Sequence, residues 1–215
     1  MRRTAMVLVM LFMAPSLLGV VAETPDTIVL DGDMSDWPQD SLQTTDSNAV
    51  TFRMTWDESH LFIGWSGTDW ASESDGADLF IYLNTTEGGT PLSKDWNLAQ
   101  TLPFAADHAF VLEDSSYSSL QMHNGSAWVD NPESAATWVG YSQNQNTEVG
   151  IPWSAIGNPE NIGVIVWAQW QDAGNVWTSF PLENPANSNG GEAFTHWYQI
   201  ENRSTAQSSA DVTIH

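Results

Sequence analysis

The chain has 215 residues, with 27 Asp and Glu against 5 Lys and Arg, a formal net charge of -22, and no cysteine. That length suits one domain, and five cations are too few to build the basic surface that duplex nucleic acid or an anionic membrane requires. Disulfides, thiolate metal sites and cysteine nucleophiles are excluded, whereas 41% hydrophobic and 11% aromatic residues are ample for a buried core.

Residues 1–22 read as a secretory signal peptide. Arg2 and Arg3 form a positive start, residues 5–21 are largely apolar, and the small residues around Ala22 predict cleavage after it. The apolar run of about 17 residues contains Pro15 and falls short of a comfortable membrane span. No second such run follows, so the mature chain is expected to be secreted and extracellular, without membrane insertion, and monomeric. After cleavage only Arg53, Lys94 and Arg203 remain against all 27 acids. An acid coat of that kind fits high-salt surroundings or simple solubility.

From residue 27 onward, short β-rich runs alternate with Gly, Pro, Asn, Asp and Ser clusters, which predicts an all-β, antiparallel, jelly-roll-like β-sandwich. In residues 50–65, Phe52, Met54 and Trp56 alternate with polar residues. Asp57, Glu58, Ser59 and His60 supply a turn, and Leu61, Ile63 and Trp65 alternate on the return. Further strands are predicted at 78–84, 108–113, 120–123, 138–141, 147–151, 162–171 and 175–180, with a hairpin turn at Asn124 and Gly125. Pro152 opens a short helical turn over 152–156, and no long helix is expected because no window holds an apolar period of 3.6 residues. Residues 23–200 form the predicted domain and 201–215 a polar tail or linker. Asn84, Asn124 and Asn202 each start a glycosylation acceptor triplet, a frequency near chance in so Asn-, Ser- and Thr-rich a chain.

Four segments in order resemble the family 9 carbohydrate-binding modules and the wider DOMON-like sandwich group. They are residues 28–37 (IVLDGDMSDW), 55–63 (TWDESHLFI, followed by Asp69), 78–84 (DLFIYLN) and 148–156 (EVGIPWSAI). The resemblance implies a sandwich that binds sugar chain ends between aromatic rings, often with structural calcium. The chain departs from the pattern at Asn84, where the family strand ends in an acid, and at Phe80, Ile81 and Tyr82, which lack the common Glu. At Asp75 the family binders carry a tryptophan; here the nearest is Trp70.

The candidate ligand-binding residues are Trp70 and Trp96 in polar loops, Trp177 and Trp197 near the late strands where the family's second ring usually lies, and Asp69 and Gln171 as polar neighbours. An indole face can cover the C–H face of a sugar while amides and carboxylates meet its hydroxyls. Packing over the sandwich ends is the competing role for each tryptophan, and Trp56, Trp65, Trp153 and Trp167 are assigned to core or sheet face. Asp31, Asp33 and Asp36 lie within six residues and could gather calcium, and Asp75 and Asp78, near Asp69, form a second possible site. The spacing is not that of an EF-hand, and a turn in which Asp31 binds backbone amides is the alternative.

No Gly-x-Ser-x-Gly and no metal-helix histidine spacing is present. Carboxylate pairs are inevitable among 27 acids, so the chain is not expected to be an enzyme. Haem, carried by some DOMON-like relatives, would need ligands such as Met54, Met122, His108 or His123. For Met54, on the apolar face of its hairpin, core packing is the stronger explanation. The expected function is therefore non-catalytic carbohydrate binding, stabilised by calcium in one version. The alternatives are an extracellular surface or adhesion module without a small ligand, or a haem-binding DOMON-like domain.

Overall fold

A computed structural model of the chain describes residues 28–67, 77–94, 98–114, 117–133, 137–141, 146–170, 174–205 and 211–215. In chain order the strands are β1 (Leu42–Thr45), β2 (Thr51–Trp56), β3 (His60–Ser66), β4 (Ala77–Asn84), β5 (Thr90–Leu92), β6 (Thr101–Ala106), β7 (His108–Asp114) and β8 (Tyr117–His123). They continue with β9 (Trp128–Asp130), β10 (Thr137–Tyr141), β11 (Asn146–Pro152), β12 (Ile162–Trp170), β13 (Val176–Phe180), β14 (Tyr198–Ile200) and β15 (Val212–Ile214). Among the described residues the helical pieces are two 3-10 turns, Met34–Asp36 and Trp153–Ile156.

Strands β1, β2, β3, β11 and β10 form one sheet in that order, and β15, β14, β12, β4, β7, β8 and β9 form a second, with β13 also paired to β12. The pairings are antiparallel, and the two sheets face each other as a β-sandwich. The alternation in the 50–65 hairpin sets which side is buried. Phe52, Met54, Leu61, Ile63 and Trp65 meet Leu79, Ile81, Leu83, Val164 and Val166 of the opposing sheet in the main core. Phe52 links the sheets: it stacks on Phe180 at 5.1 Å and on Tyr198 at 5.5 Å, with Trp65 edge-on at 5.8 Å.

Strands β4 and β12 are buried along nearly their whole length, on both faces. The reason is a third layer. The hairpin β5–β6 and Phe194 cover the outer face of the second sheet, enclosing Phe80, Tyr82, Val111, Ile165 and Trp167 with Leu102 and Ala106. Trp167 stacks on Tyr82 at 4.9 Å and on Phe80 at 5.3 Å, so its expected place in the packed interior holds, as it does for Trp65 and Trp153.

Residues 201–215, expected as a polar tail or linker, end instead in β15, which pairs Ile200 with Val212 and Tyr198 with Ile214. The strand is held by backbone hydrogen bonds at a sheet edge, with Val212 resting on the main core. Two of its three side chains are exposed, so it leaves little trace in an apolar pattern. No helix among the described residues is long and apolar enough to cross a membrane, and the predicted signal peptide lies outside the described residues.

Candidate functional site

The acidic opening motif forms a turn on the outer face of the first sheet. Asp31 accepts from the Asp33 amide at 2.9 Å, Asp33 accepts from Ser35 N at 3.0 Å and so caps the first 3-10 turn, and Asp36 accepts from Val29 N at 2.7 Å. Each predicted calcium ligand in this motif thus holds local backbone, as short Asp side chains do in turns. The anchor of the motif is Glu148 on β11, wholly buried. It accepts from the amides of Asp31, at 3.0 Å, and Gly32, and from Trp37 Nε1 at 2.7 Å. Burial pushes the Glu148 carboxyl above its usual range; the bonds from Trp37, Gly32 and Asp31 pull it back in part.

Gly64 makes room for this docking. A Cβ there would stand 2.7 Å from Met34 Cε and 3.1 Å from the Trp37 ring. Trp37 also packs edge-on against Phe62 and lies under the Arg53 guanidinium, whose Nη1 donates to the Met34 carbonyl at 3.1 Å. Asp78 is elsewhere. It is buried on β4 opposite Gln169, in the second sheet, and Asp69 and Asp75, expected beside it, lie outside the described residues. Among the described residues no group of three or more His, Asp and Glu side chains gathers as a metal shell.

The predicted ligand tryptophans divide. Trp70, Trp96, Asp69 and Gln171 lie outside the described residues. Trp177 is half-buried against the main core at the end of the sandwich. It sits at a β-bulge: Ala168 pairs with Thr178 but Gln169 pairs with Val176, so the register shifts at Trp177. Such a bulge re-aims the side chain. Here the ring comes within 5.6 Å of Trp170, inclined at 43°. Trp170 is 39% exposed. Beside the pair, Asn48 Nδ2 donates to the Trp177 carbonyl at 3.1 Å and the Thr178 hydroxyl donates to Asp46. The Gln100 and Gln169 side-chain amides bond at 2.8 Å near the same strand end.

Trp170 was not singled out by its sequence position, because it closes the apolar run of β12 and reads as core. The run ends one residue too late for full cover, which is the only local signal that its ring reaches solvent. Trp197 does not share this platform. It packs on the outer face of the second sheet, edge-on to Phe104 at 5.9 Å and stacked on His215 at 5.4 Å, with Nε1 donating to Gln199 at 3.1 Å. Of the residues considered for haem, Met54 is buried in the main core, and Met122 stands opposite His108 in the β7–β8 ladder.

At the far end of the second sheet, Asp107 accepts from the amide and hydroxyl of Thr85 at 2.7 and 2.6 Å, the amide and hydroxyl of Thr86 at 3.1 and 2.7 Å, and lies 3.3 Å from His108 Nδ1. Burial alone would raise its carboxyl, but the bonds from His108, Thr85 and Thr86 together outweigh it and hold the group below its usual range. A depressed carboxyl adds stability above its unfolded value of about 3.9 and loses it as pH falls through the lower folded value. Urea titrations of wild type and Asp107→Asn from pH 7 to pH 2 are therefore expected to differ most near neutrality and to converge below about pH 4. A gap unchanged over that range would show that the carboxylate charge is not what holds the Thr85–Thr86 loop.

Comparison of the chain with family models, with curated proteins and with solved structures gave no significant match.

Proposed function

We propose that this protein is a secreted, non-catalytic carbohydrate-binding module that stacks a sugar ring on Trp170, with Trp177 supporting the platform. The observation that carries the reading is the exposed Trp170 ring set against Trp177 at the rim of the sandwich. A large aromatic left in water at a strand end costs hydration free energy that a pyranose C–H face would recover. The bulge at Trp177 supports the same reading, since it turns a second indole toward the first when regular pairing would not. Asn48 and Asp46, both half-buried, provide amide and carboxylate groups close by. The scarcity of cations favours a neutral glycan.

Isothermal titration against soluble neutral oligosaccharides tests this. Trp170→Ala is expected to weaken binding by roughly 30-fold, the loss of about 2 kcal/mol typical of a central aromatic contact, with an unchanged melting temperature. No heat with any glycan would remove the sugar reading and leave a surface or adhesion module. An affinity unaffected by Trp170→Ala would move the site off this rim.

A further inference from the structure

Two positions in this fold share one arrangement. On the first sheet Gly64 lies between Arg53 and Glu148 in a row across β2, β3 and β11, and the chain's own Met34 and Trp37 occupy the space above the glycine. On the second sheet Gly163 lies between Asn84 and Gln199 in a row across β4, β12 and β14. There Phe104 and Trp197 take the space above the glycine, and beside them the chain leaves a cleft of about 420 Å³, lined by Asn84, Thr85, Glu87, Asn161 and Gln199 with Gly163.

We infer that this cleft is a second binding site, for a neutral, hydroxyl-rich glycan chain. It shares with the rim site only the class of ligand. Three side-chain amides line it, and each amide both donates and accepts, which matches hydroxyls that do the same. Neighbouring strands lie about 4.8 Å apart, so the backbones carrying Asn84 and Gln199 stand roughly 10 Å from each other, with Gly163 between them. Two of the amides are held in place before a ligand arrives. Gln199 accepts from Trp197 Nε1 at 3.1 Å and donates to the Ile200 carbonyl at 3.2 Å, and Asn161 accepts from Asn202 N at 3.0 Å.

Each of these groups keeps further hydrogen-bonding capacity, and groups already fixed lose less entropy on binding. The hydroxyls of Thr85 and Thr86 donate to Asp107, which leaves the Thr86 oxygen as an acceptor; the Thr85 oxygen also meets His108 Nδ1 at 3.2 Å. Apolar surface is adjacent: a Cβ at residue 163 would stand 3.2 Å from Trp197 Cδ1 and 3.3 Å from Phe104 Cε1, so the glycine lets both rings come down close to the strand. The lining includes no cation and one carboxylate, Glu87. In a chain of net charge -22 that excludes anionic ligands.

The test is titration of isotope-labelled protein with cellohexaose and with xylohexaose, followed through the side-chain amide resonances. Wild type, Trp170→Ala and the double variant Asn84→Ala/Gln199→Ala are compared. The Asn84, Asn161 and Gln199 resonances are expected to shift with at least one of the two sugars and to shift equally in Trp170→Ala; in the double variant the remaining Asn161 resonance is expected to report a Kd at least tenfold weaker. Should the double variant unfold, Asn161→Ala replaces it, because Asn161 is exposed; the same loss is expected. Shifts confined to the Trp170 end, or a Kd at the cleft unmoved by these substitutions, overturn the cleft and leave the rim site standing. Shifts confined to the cleft support it and remove the rim site. No shift anywhere with either sugar overturns both.

Discussion

Phe52→Ala is expected to destabilise the fold by about 3–5 kcal/mol, the usual range for deleting a buried phenylalanine. The ring is fully buried, and it carries contacts that no neighbour can replace. Trp65 approaches from its own sheet, while Phe180 and Tyr198 stack on it from β13 and β14 of the other. Truncation opens a void where the two sheets meet, and three large rings on two separate sheets cannot all move to fill it. Phe52→Leu keeps most of the volume and should cost appreciably less. Urea unfolding followed by far-UV circular dichroism measures both variants. A loss of under about 1 kcal/mol for Phe52→Ala would mean that the sheets repack freely at this point, contrary to the stacking geometry.

The second large effect is at Glu148. Glu148→Ala strands the amides of Asp31 and Gly32 and the indole N–H of Trp37. Each unsatisfied buried donor costs about 1–3 kcal/mol. The sum is reduced because the variant also removes a desolvated carboxylate, so a net loss of about 2–4 kcal/mol is expected. Glu148→Gln keeps acceptor capacity on one side and should lose less. Because burial raises this carboxyl, the sign of its pH effect is opposite to that of Asp107. Glu148 adds stability below its unfolded value of about 4.3 and loses it as pH rises through the raised folded value.

Acidification through the raised Glu148 value therefore favours the folded state, and stability at Asp107 is lost at lower pH. Limited proteolysis gives a local readout. In Glu148→Ala the segment around residues 28–37 is expected to be cut before the sandwich unfolds globally. Cleavage of the variant at the wild-type rate would show that Met34, Trp37 and Phe62 hold the turn by packing alone.

The hairpin of β2 and β3 was legible because the face it turns to the second sheet carries apolar residues with period two, although β3 is also buried on its other face, under Met34 and Trp37. β4 and β12 were found as strands, but their second buried face has no separate signature: Phe80, Tyr82 and Trp167 read as more of the same apolar run. The cover over them comes from β6 and Phe194, far along the chain. The Asp31–Asp36 cluster illustrates the limit for sites. Its composition suits both a cation shell and a set of turn acceptors, and the choice depends on Glu148, more than a hundred residues away, which takes the amides of Asp31 and Gly32.

The sequence by itself determined the all-β class, the central hairpins and the aromatic core, since these follow from local alternation and turn chemistry that act within a few residues. It also excluded a basic binding surface and any disulfide, because counting is enough for that. The tertiary structure alone decided which tryptophans are covered. Trp197 is packed beneath Phe104 and His215, whereas Trp170 reaches solvent because the bulge at Trp177 and the end of β12 fall together. It likewise decided that Asn84, Gly163 and Gln199 stand in one row. Exposure and cross-strand register are properties of pairings between distant segments, and a linear pattern does not contain them.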